Sequence, residues 1–226
     1  VTDQDEYATD AVVIAIGVVP NTDFLRVSEG TAGLALDRFG GVLVDERLET
    51  GVPGIFAAGD CASVRWFNGV KRPEQLWYTA RDQGRVAARG LLGDTAQSYR
   101  RGHWYNSAKL MDVEYTTAGL VNFNVEGEQN WFFEEKGAVR STNRIVLSQD
   151  RVVGFNFLGR RWNHEVLIRW IDQHRSLEYV LDHLQEAGFD TEFVPPLRIP
   201  PEARTSGLSK QAAPSGIPDP VAPPAV

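Results

Sequence analysis

The chain has 226 residues, of which 42% are hydrophobic and 23% charged, enough apolar material for the core of one large domain or two small ones. A formal net charge of -7 without a basic stripe argues against nucleic acid and anionic membrane as partners, and no apolar run is long enough to span a bilayer. The start, Val1 to Glu6, has neither the basic nor the apolar part of a signal peptide, so a cytoplasmic location is expected. A single cysteine cannot form an internal disulfide, and Cys61 reads as a small buried residue rather than a redox thiol.

In chain order, Asp10 to Gly17 reads as a buried strand ending in Gly, followed by Pro20-Asn21 and a short helical piece from Asp23 to Val27. Leu34 to Asp45, with the Gly40-Gly41 pair, reads as a hairpin. It feeds a second apolar strand, Ile55-Phe56-Ala57-Ala58, which comes after a turn at Thr50, Gly51 and Pro53 and closes on Gly59 and Asp60. Gly59 allows the backbone to approach a ligand closely. Asp60 places an acceptor-only carboxylate at the carboxyl end of the strand, where open α/β sheets bind ligands. The pattern suits a hydroxylated ligand.

Thr50, Pro53, Ile55, Phe56, Ala57, Gly59 and Asp60 resemble, at matching spacing, the second flavin-binding motif of the FAD-dependent pyridine nucleotide oxidoreductases. In that family the Asp accepts a hydrogen bond from the ribityl chain of FAD, and the resemblance assigns this role to Asp60. Asp10, Gly17, Pro20 and Asn21 are similar to the family's return from the NAD(P)H domain to the FAD domain. The two Gly-ended strands lie about 40 residues apart in the right order. No G-x-G-x-x-G follows a strand, so the pyrophosphate turns for FAD and NAD(P)H are not in this sequence, and the expectation is the C-terminal part of a longer reductase.

A polar loop from Arg65 to Arg72 leads to a helix expected to start at Pro73, with Leu76, Ala80, Gly84, Ala87 or Ala88, and Leu91 on one small-residue face and Gly93 as its stop. Its free N–H groups and positive dipole suit the flavin edge where negative charge collects. Trp77-Tyr78-Thr79-Ala80 with Gln83-Gly84 resembles the corresponding helix start of the ferredoxin and rubredoxin reductase-like branch. By that resemblance Gln75, Leu76 and Trp77 join Gly17, Gly59 and Asp60 as cofactor-binding residues.

From Gln97 aromatic and polar residues mix. Asp112 to Gly119 alternates as a half-buried strand, and further strands are expected at Trp131 to Phe133, Arg144 to Leu147 and Val152 to Leu158, the last two joined by a turn from Ser148 to Arg151. Asn163 caps a helix with Val166, Leu167, Trp170, Ile171 and His174 inward. Ser176 caps another with Leu177, Val180, Leu181 and Leu184 inward, ended by Gly188. Relatives such as apoptosis-inducing factor carry Phe-Trp-Ser at the entry to this region, whereas Asn106-Ser107-Ala108 stands here, with the aromatics at Trp104 and Tyr105. Neighbours Phe132 and Phe133 must point to opposite sides of a strand, so one faces outward and a homodimer contact is expected there. Seven of the twelve prolines fall at Pro200 or later, and the tail from about Glu202 is expected to be disordered.

The fold class is therefore α/β, the C-terminal part of a Rossmann-like FAD/NAD(P)-binding two-domain flavoprotein, followed by a small α+β C-terminal domain. By resemblance, residues 1–19 end the NAD(P)H-binding domain, 20–97 belong to the FAD-binding domain, 98–200 form the C-terminal or interface domain, and 201–226 are a Pro-rich tail. No catalytic side chain and no metal ligand set is expected: the family's His-Pro and Glu pair has no counterpart among His103, His164, His174 and His183. The implied function is electron transfer from NAD(P)H through FAD to an unnamed acceptor, a ferredoxin- or rubredoxin-like protein or a small molecule. The alternative is a redox-linked interaction or assembly module with little turnover of its own.

Overall fold

The computed structural model describes residues 5–27, 34–66, 69–94, 96–121, 127–137, 139–189 and 191–210. Its backbone divides into two units, one reaching Arg100 and the other beginning at Arg101. In the first, a short helix, α1 (Phe24–Val27), follows Pro20-Asn21. The expected hairpin over Leu34 to Asp45 contracts to one antiparallel bridge between Leu36 and Val42. Asp37 shapes its turn by accepting hydrogen bonds from the Phe39 and Gly41 N–H groups, both at 2.8 Å, and from the Ser63 hydroxyl at 2.6 Å. β1 (Val42–Leu43) pairs in parallel with β2 (Ala62–Arg65), and β2 pairs antiparallel with β3 (Lys71–Pro73).

Three sequence expectations are corrected in this unit. Asp10 to Gly17 forms no strand: Val12, Val13, Ile14 and Ile16 are exposed, because a buried parallel strand needs neighbours on its edges and faces and no described strand runs beside it. Ile55 to Ala58 is not a parallel strand either. The turn after Thr50 is so short that the chain doubles back, with Thr50 N–H donating to the Ile55 carbonyl, Ala57 N–H to the Leu48 carbonyl, and a single bridge from Glu49 to Phe56. Pro73 does not start the long helix. It ends β3 opposite Ser63, an edge position that its missing N–H tolerates, and α2 begins four residues later as Trp77–Leu91.

The buried residues of α2 are Gln83 and Ala87, with Ala80, Gly84 and Gly90 half-buried and Leu91 exposed. Ala87 joins the core of Val44, Leu48 and Val64, against which Phe56, Ala57 and Ala58 pack. A Cβ on Gly90 would lie 2.5 Å from the Phe56 ring, and one on Gly59 would rest 3.5 Å from the Ala80 methyl. The helix therefore lies directly on residues 56–59. Gly93 ends it as expected, at φ +84, with Gly93 N–H bonded to the Gly90 carbonyl and Asp94 N–H to the Arg89 carbonyl, a Schellman closure.

The second unit is a six-stranded antiparallel sheet of β4 (Tyr105–Leu110), β5 (Val113–Gly119), β6 (Gln129–Glu135), β7 (Ser141–Ser148), β8 (Arg151–Leu158) and β9 (Leu208–Lys210). Their order is β4-β5-β8-β7-β6-β9. Gln149 and Asp150 take φ +51 and +60 between β7 and β8, the left-handed pair that a two-residue hairpin requires. Asn163 accepts from the Glu165 N–H at the start of α3 (His164–Asp172), and Ser176 accepts from the Tyr179 N–H at the start of α4 (Leu177–His183). Val166, Leu167, Trp170 and Ile171 of α3 meet Trp131, Ile145, Phe155 and Phe157 of the sheet in one core. His174 is not inward: it lies past the end of α3 with φ +52 and is exposed.

The tail expected to be disordered from Glu202 is ordered through Lys210, as α5 (Pro201–Ser206) and β9. The cause lies 72 residues away: Trp131 is fully buried, and its indole N–H finds its acceptor in the Ala203 carbonyl at 3.0 Å. Residues 211–226 lie outside the described residues.

Arg160 grips the Glu135 carboxylate with two bonds of 2.7 and 2.6 Å and the Pro195 carbonyl with a third at 2.6 Å. Burial pushes the Glu135 carboxyl up, but the hydrogen bonds from Arg160 and Ser141 outweigh it and hold the group below its ordinary range. A depressed carboxyl stabilises the fold at neutral pH and loses that contribution as pH falls through the folded value. Arg160→Leu is expected to destabilise the protein by roughly 1–3 kcal/mol at neutral pH, because it leaves a half-buried carboxylate with the Ser141 hydroxyl as its remaining described donor. Denaturant titrations should show the gap to wild type narrowing as pH is lowered past the ordinary carboxyl range and Glu135 protonates; an undiminished gap at low pH would contradict the pairing. Gly90→Ala, normally worth about 1 kcal/mol in favour of a helix, is expected instead to destabilise by about 1–3 kcal/mol. Phe56→Leu should recover most of that loss in a thermal melt.

Candidate functional site

The turn that carries Asp60 is fastened at each end. The Gly59 N–H donates to Gln83 Oε1 at 2.8 Å, and the Gly59 carbonyl accepts from Ala62 N–H at 2.9 Å, at the start of β2. Gly59 sits at φ +83, a left-handed conformation that strains any side chain. Asp60 itself is exposed, and among the described residues its carboxylate accepts no hydrogen bond. Asp45, in the same unit, is the contrast. Burial pushes its carboxyl up, but the Glu49 and Arg47 N–H groups and the Arg47 side chain outweigh that and hold it below the ordinary range. Asp45 is engaged in shaping its own loop, whereas Asp60 is open to a donor.

Gly59 touches the first turns of α2 through Ala80, which brings Asp60 to the helix's N-terminal end together with the other expected residues. Leu76 is the half-buried N-cap and supplies no side-chain acceptor, so the leading N–H groups of α2 have no side-chain cap. Gln75 is exposed. Trp77 is 68% exposed, with the Tyr78 ring edge-on at 5.3 Å and the Arg81 guanidinium 5.4 Å from its own ring. Gly17 is not brought to this group: it lies in the exposed extended stretch at φ +110, and a Cβ there would meet nothing within 4 Å.

Sequence reasoning missed Gln83 as a site residue. It is fully buried, its Oε1 holds Gly59, and its Nε2 is buried with no acceptor. The signal was a polar residue set in an otherwise small-residue stripe. An open carboxylate for a hydroxyl, an uncapped helix start for a carbonyl edge and an exposed indole for a ring form a set that fits a flavin.

The histidines lie elsewhere. His103 Nε2 is 3.0 Å from Asp172 Oδ1, an acidic partner that sequence spacing did not reveal, His164 stacks on Tyr105, and His183 bonds the Tyr179 carbonyl. Cys61 is half-buried rather than buried, with its thiol 3.6 Å from the Ala58 carbonyl. Among the described residues no cluster of His, Cys, Asp or Glu could hold a metal ion, and no helix is long and apolar enough to cross a membrane.

Residues 1–84 match the family model described as pyridine nucleotide-disulphide oxidoreductase. The chain is 42% identical to human (Homo sapiens) apoptosis-inducing factor 3 over 90 residues, covering 39% of this chain and 14% of that protein. It is 30% identical over 174 residues to the ferredoxin--NAD(+) reductase component of the p-cumate 2,3-dioxygenase system of Pseudomonas putida, covering 75% of this chain and 39% of that protein. A crystal structure of an FAD-dependent pyridine nucleotide-disulphide oxidoreductase from Desulfovibrio vulgaris superposes with a TM-score of 0.59 at 26% identity, over 80% of this chain and 47% of that one. The chain thus spans less than half the length of each of these proteins. The similarity to the pyridine nucleotide-disulphide oxidoreductase family is thus carried by residues 1–84.

Proposed function

We propose that the chain is part of an FAD-dependent NAD(P)H oxidoreductase, and that the Gly59–Asp60 turn and the start of α2 are its share of the flavin site. The observation that carries this reading is the Asp60 carboxylate, open to a donor and set between two anchored residues at the helix start. When bound, the flavin supplies the chemistry, accepting hydride from NAD(P)H and passing electrons onward. The chain's own residues hold and orient it. Asp60 accepts a hydrogen bond from a ribityl hydroxyl, the leading N–H groups of α2 stabilise negative charge at the ring edge, and Gln75, Leu76 and Trp77 lie beside the ring. Gly17 belongs to the same reading as the end of the nicotinamide-binding part. The family match and the named flavoprotein relatives support it.

The acceptor in this reading is a ferredoxin- or rubredoxin-like protein or a small molecule, in the cytoplasm; similarity to a ferredoxin--NAD(+) reductase component supports a ferredoxin. The second unit is read as the small α+β C-terminal domain of that enzyme. Phe132 is 49% exposed while Phe133 packs on the core, which favours a homodimer contact at Phe132. An assembly module with little turnover is the competing function, and steady NAD(P)H oxidation by the intact protein with an artificial acceptor separates the two.

In the intact oxidoreductase, Asp60→Ala is expected to weaken FAD binding by about one to two decades, the worth of a charge-assisted hydrogen bond. Flavin titration of the apoprotein measures it, and full wild-type affinity would remove Asp60 from the site. Light scattering at tens of micromolar is expected to give a dimer mass that Phe132→Glu reduces to monomer; a monomeric wild type would exclude the contact.

A further inference from the structure

We infer that Gln83 is a positioning residue for the flavin site, acting through Gly59 to set the direction of Asp60; the inference rests on the reading of Asp60 given above. The side chain reaches across 24 residues of sequence to a single backbone group, the Gly59 N–H, in a fully buried setting. Gly59 is bonded through both its N–H and its carbonyl, the latter to Ala62, so the one residue between them that points outward, Asp60, has little freedom left. No other described side chain bonds the Gly59 N–H. Without Gln83 that donor would be orphaned in a buried place, and the left-handed turn at Gly59 would lose one of its two fastenings. The carboxamide is also held at a cost, because its Nε2 has no acceptor.

Gln83→Met tests this in the intact oxidoreductase. Methionine fills the same space, removes the orphaned Nε2 and in turn orphans the Gly59 N–H, so one unsatisfied group replaces another. The melting temperature of the apoprotein is expected to move by only about 2 °C. FAD affinity is expected to fall about tenfold, as when one hydrogen bond is misplaced. Because Gln83 acts through Asp60, the losses must not multiply: Gln83→Met combined with Asp60→Ala should bind FAD within about threefold of Asp60→Ala alone. Unchanged FAD affinity in Gln83→Met beside a weakened Asp60→Ala overturns the positioning role and leaves the flavin site standing. Losses that multiply in full also overturn it. If Asp60→Ala has no effect, the flavin reading itself fails, a separate outcome. A measurement on wild-type protein covers the case in which the variant does not fold. The Gly59 amide of the apoprotein is expected to exchange with solvent at least a hundredfold more slowly than an open loop amide, and exchange at the open rate overturns the inference.

Discussion

The fit of α2 against residues 56–59 is the constraint on which the first unit depends. Phe56 takes the space that a side chain at position 90 would occupy, Gly59 rests on Ala80, and Gln83 ties the two segments with a buried hydrogen bond. Each contact demands a small or specific residue on the helix, and together they set its distance and register against the turn. Dense packing leaves little room for adjustment, so a helix shifted by one residue would place a larger side chain against Phe56 or remove the partner of Gly59. The position of Asp60 is thus a by-product of packing. Buried contacts behind the turn determine where Asp60 points.

The second unit is held by similar long reaches, although its sheet is formed from local hairpins. Turns of two residues set β7 against β8, while the edge is sealed by β9, which arrives from far along the chain. The segment from 201 to 210 has little core of its own, since no residue of α5 is buried. It is retained because Trp131 requires an acceptor and because Gly207 can approach the indole where no side chain could, a Cβ there lying 2.8 Å from its nitrogen. The Arg160 guanidinium does comparable work at the end of β8, spanning 25 residues back to Glu135 and 35 forward to Pro195.

What was legible in the sequence was what the local backbone demands. Gly93 at the helix stop, the Asn163 and Ser176 caps, the strands β5, β7 and β8, and the Gly59–Asp60 turn each follow from the conformation of a few adjacent residues. Several of the misreadings share a cause, a partner outside the segment being read. Pro73 looked like a helix start because its strand partner, Ser63, gives no sign of itself in the neighbouring residues. Gln83 entered only through the resemblance of Gln83-Gly84 to a known helix start, since nothing near it marks Gly59 as its target. The proline content beyond Pro200 suggested disorder, while the demand for that segment came from Trp131. β4 was not anticipated because Tyr105 to Leu110 carries a buried-facing side only at its start, where Tyr105 meets the core.

The run from Val12 to Val19 separates two things that hydrophobic pattern is often taken to mean. Val12, Val13, Ile14, Ile16, Val18 and Val19 are each more than two-thirds exposed, in a stretch rich in residues that favour strands. Such a composition records the surroundings in which a segment is stable, apolar on both faces, and is silent on whether those surroundings lie within the same 226 residues. Helix α2 shows the opposite arrangement, a face of small residues whose partner, the 56–59 segment, is present and fitted to it. Two segments with equally clear patterns thus end in different states, and what separates them is the presence of the complementary surface. For the same reason Asp60 is the more secure of the two Gly-strand readings: the packing that orients it is complete within the described residues, whereas Gly17 has no such surroundings.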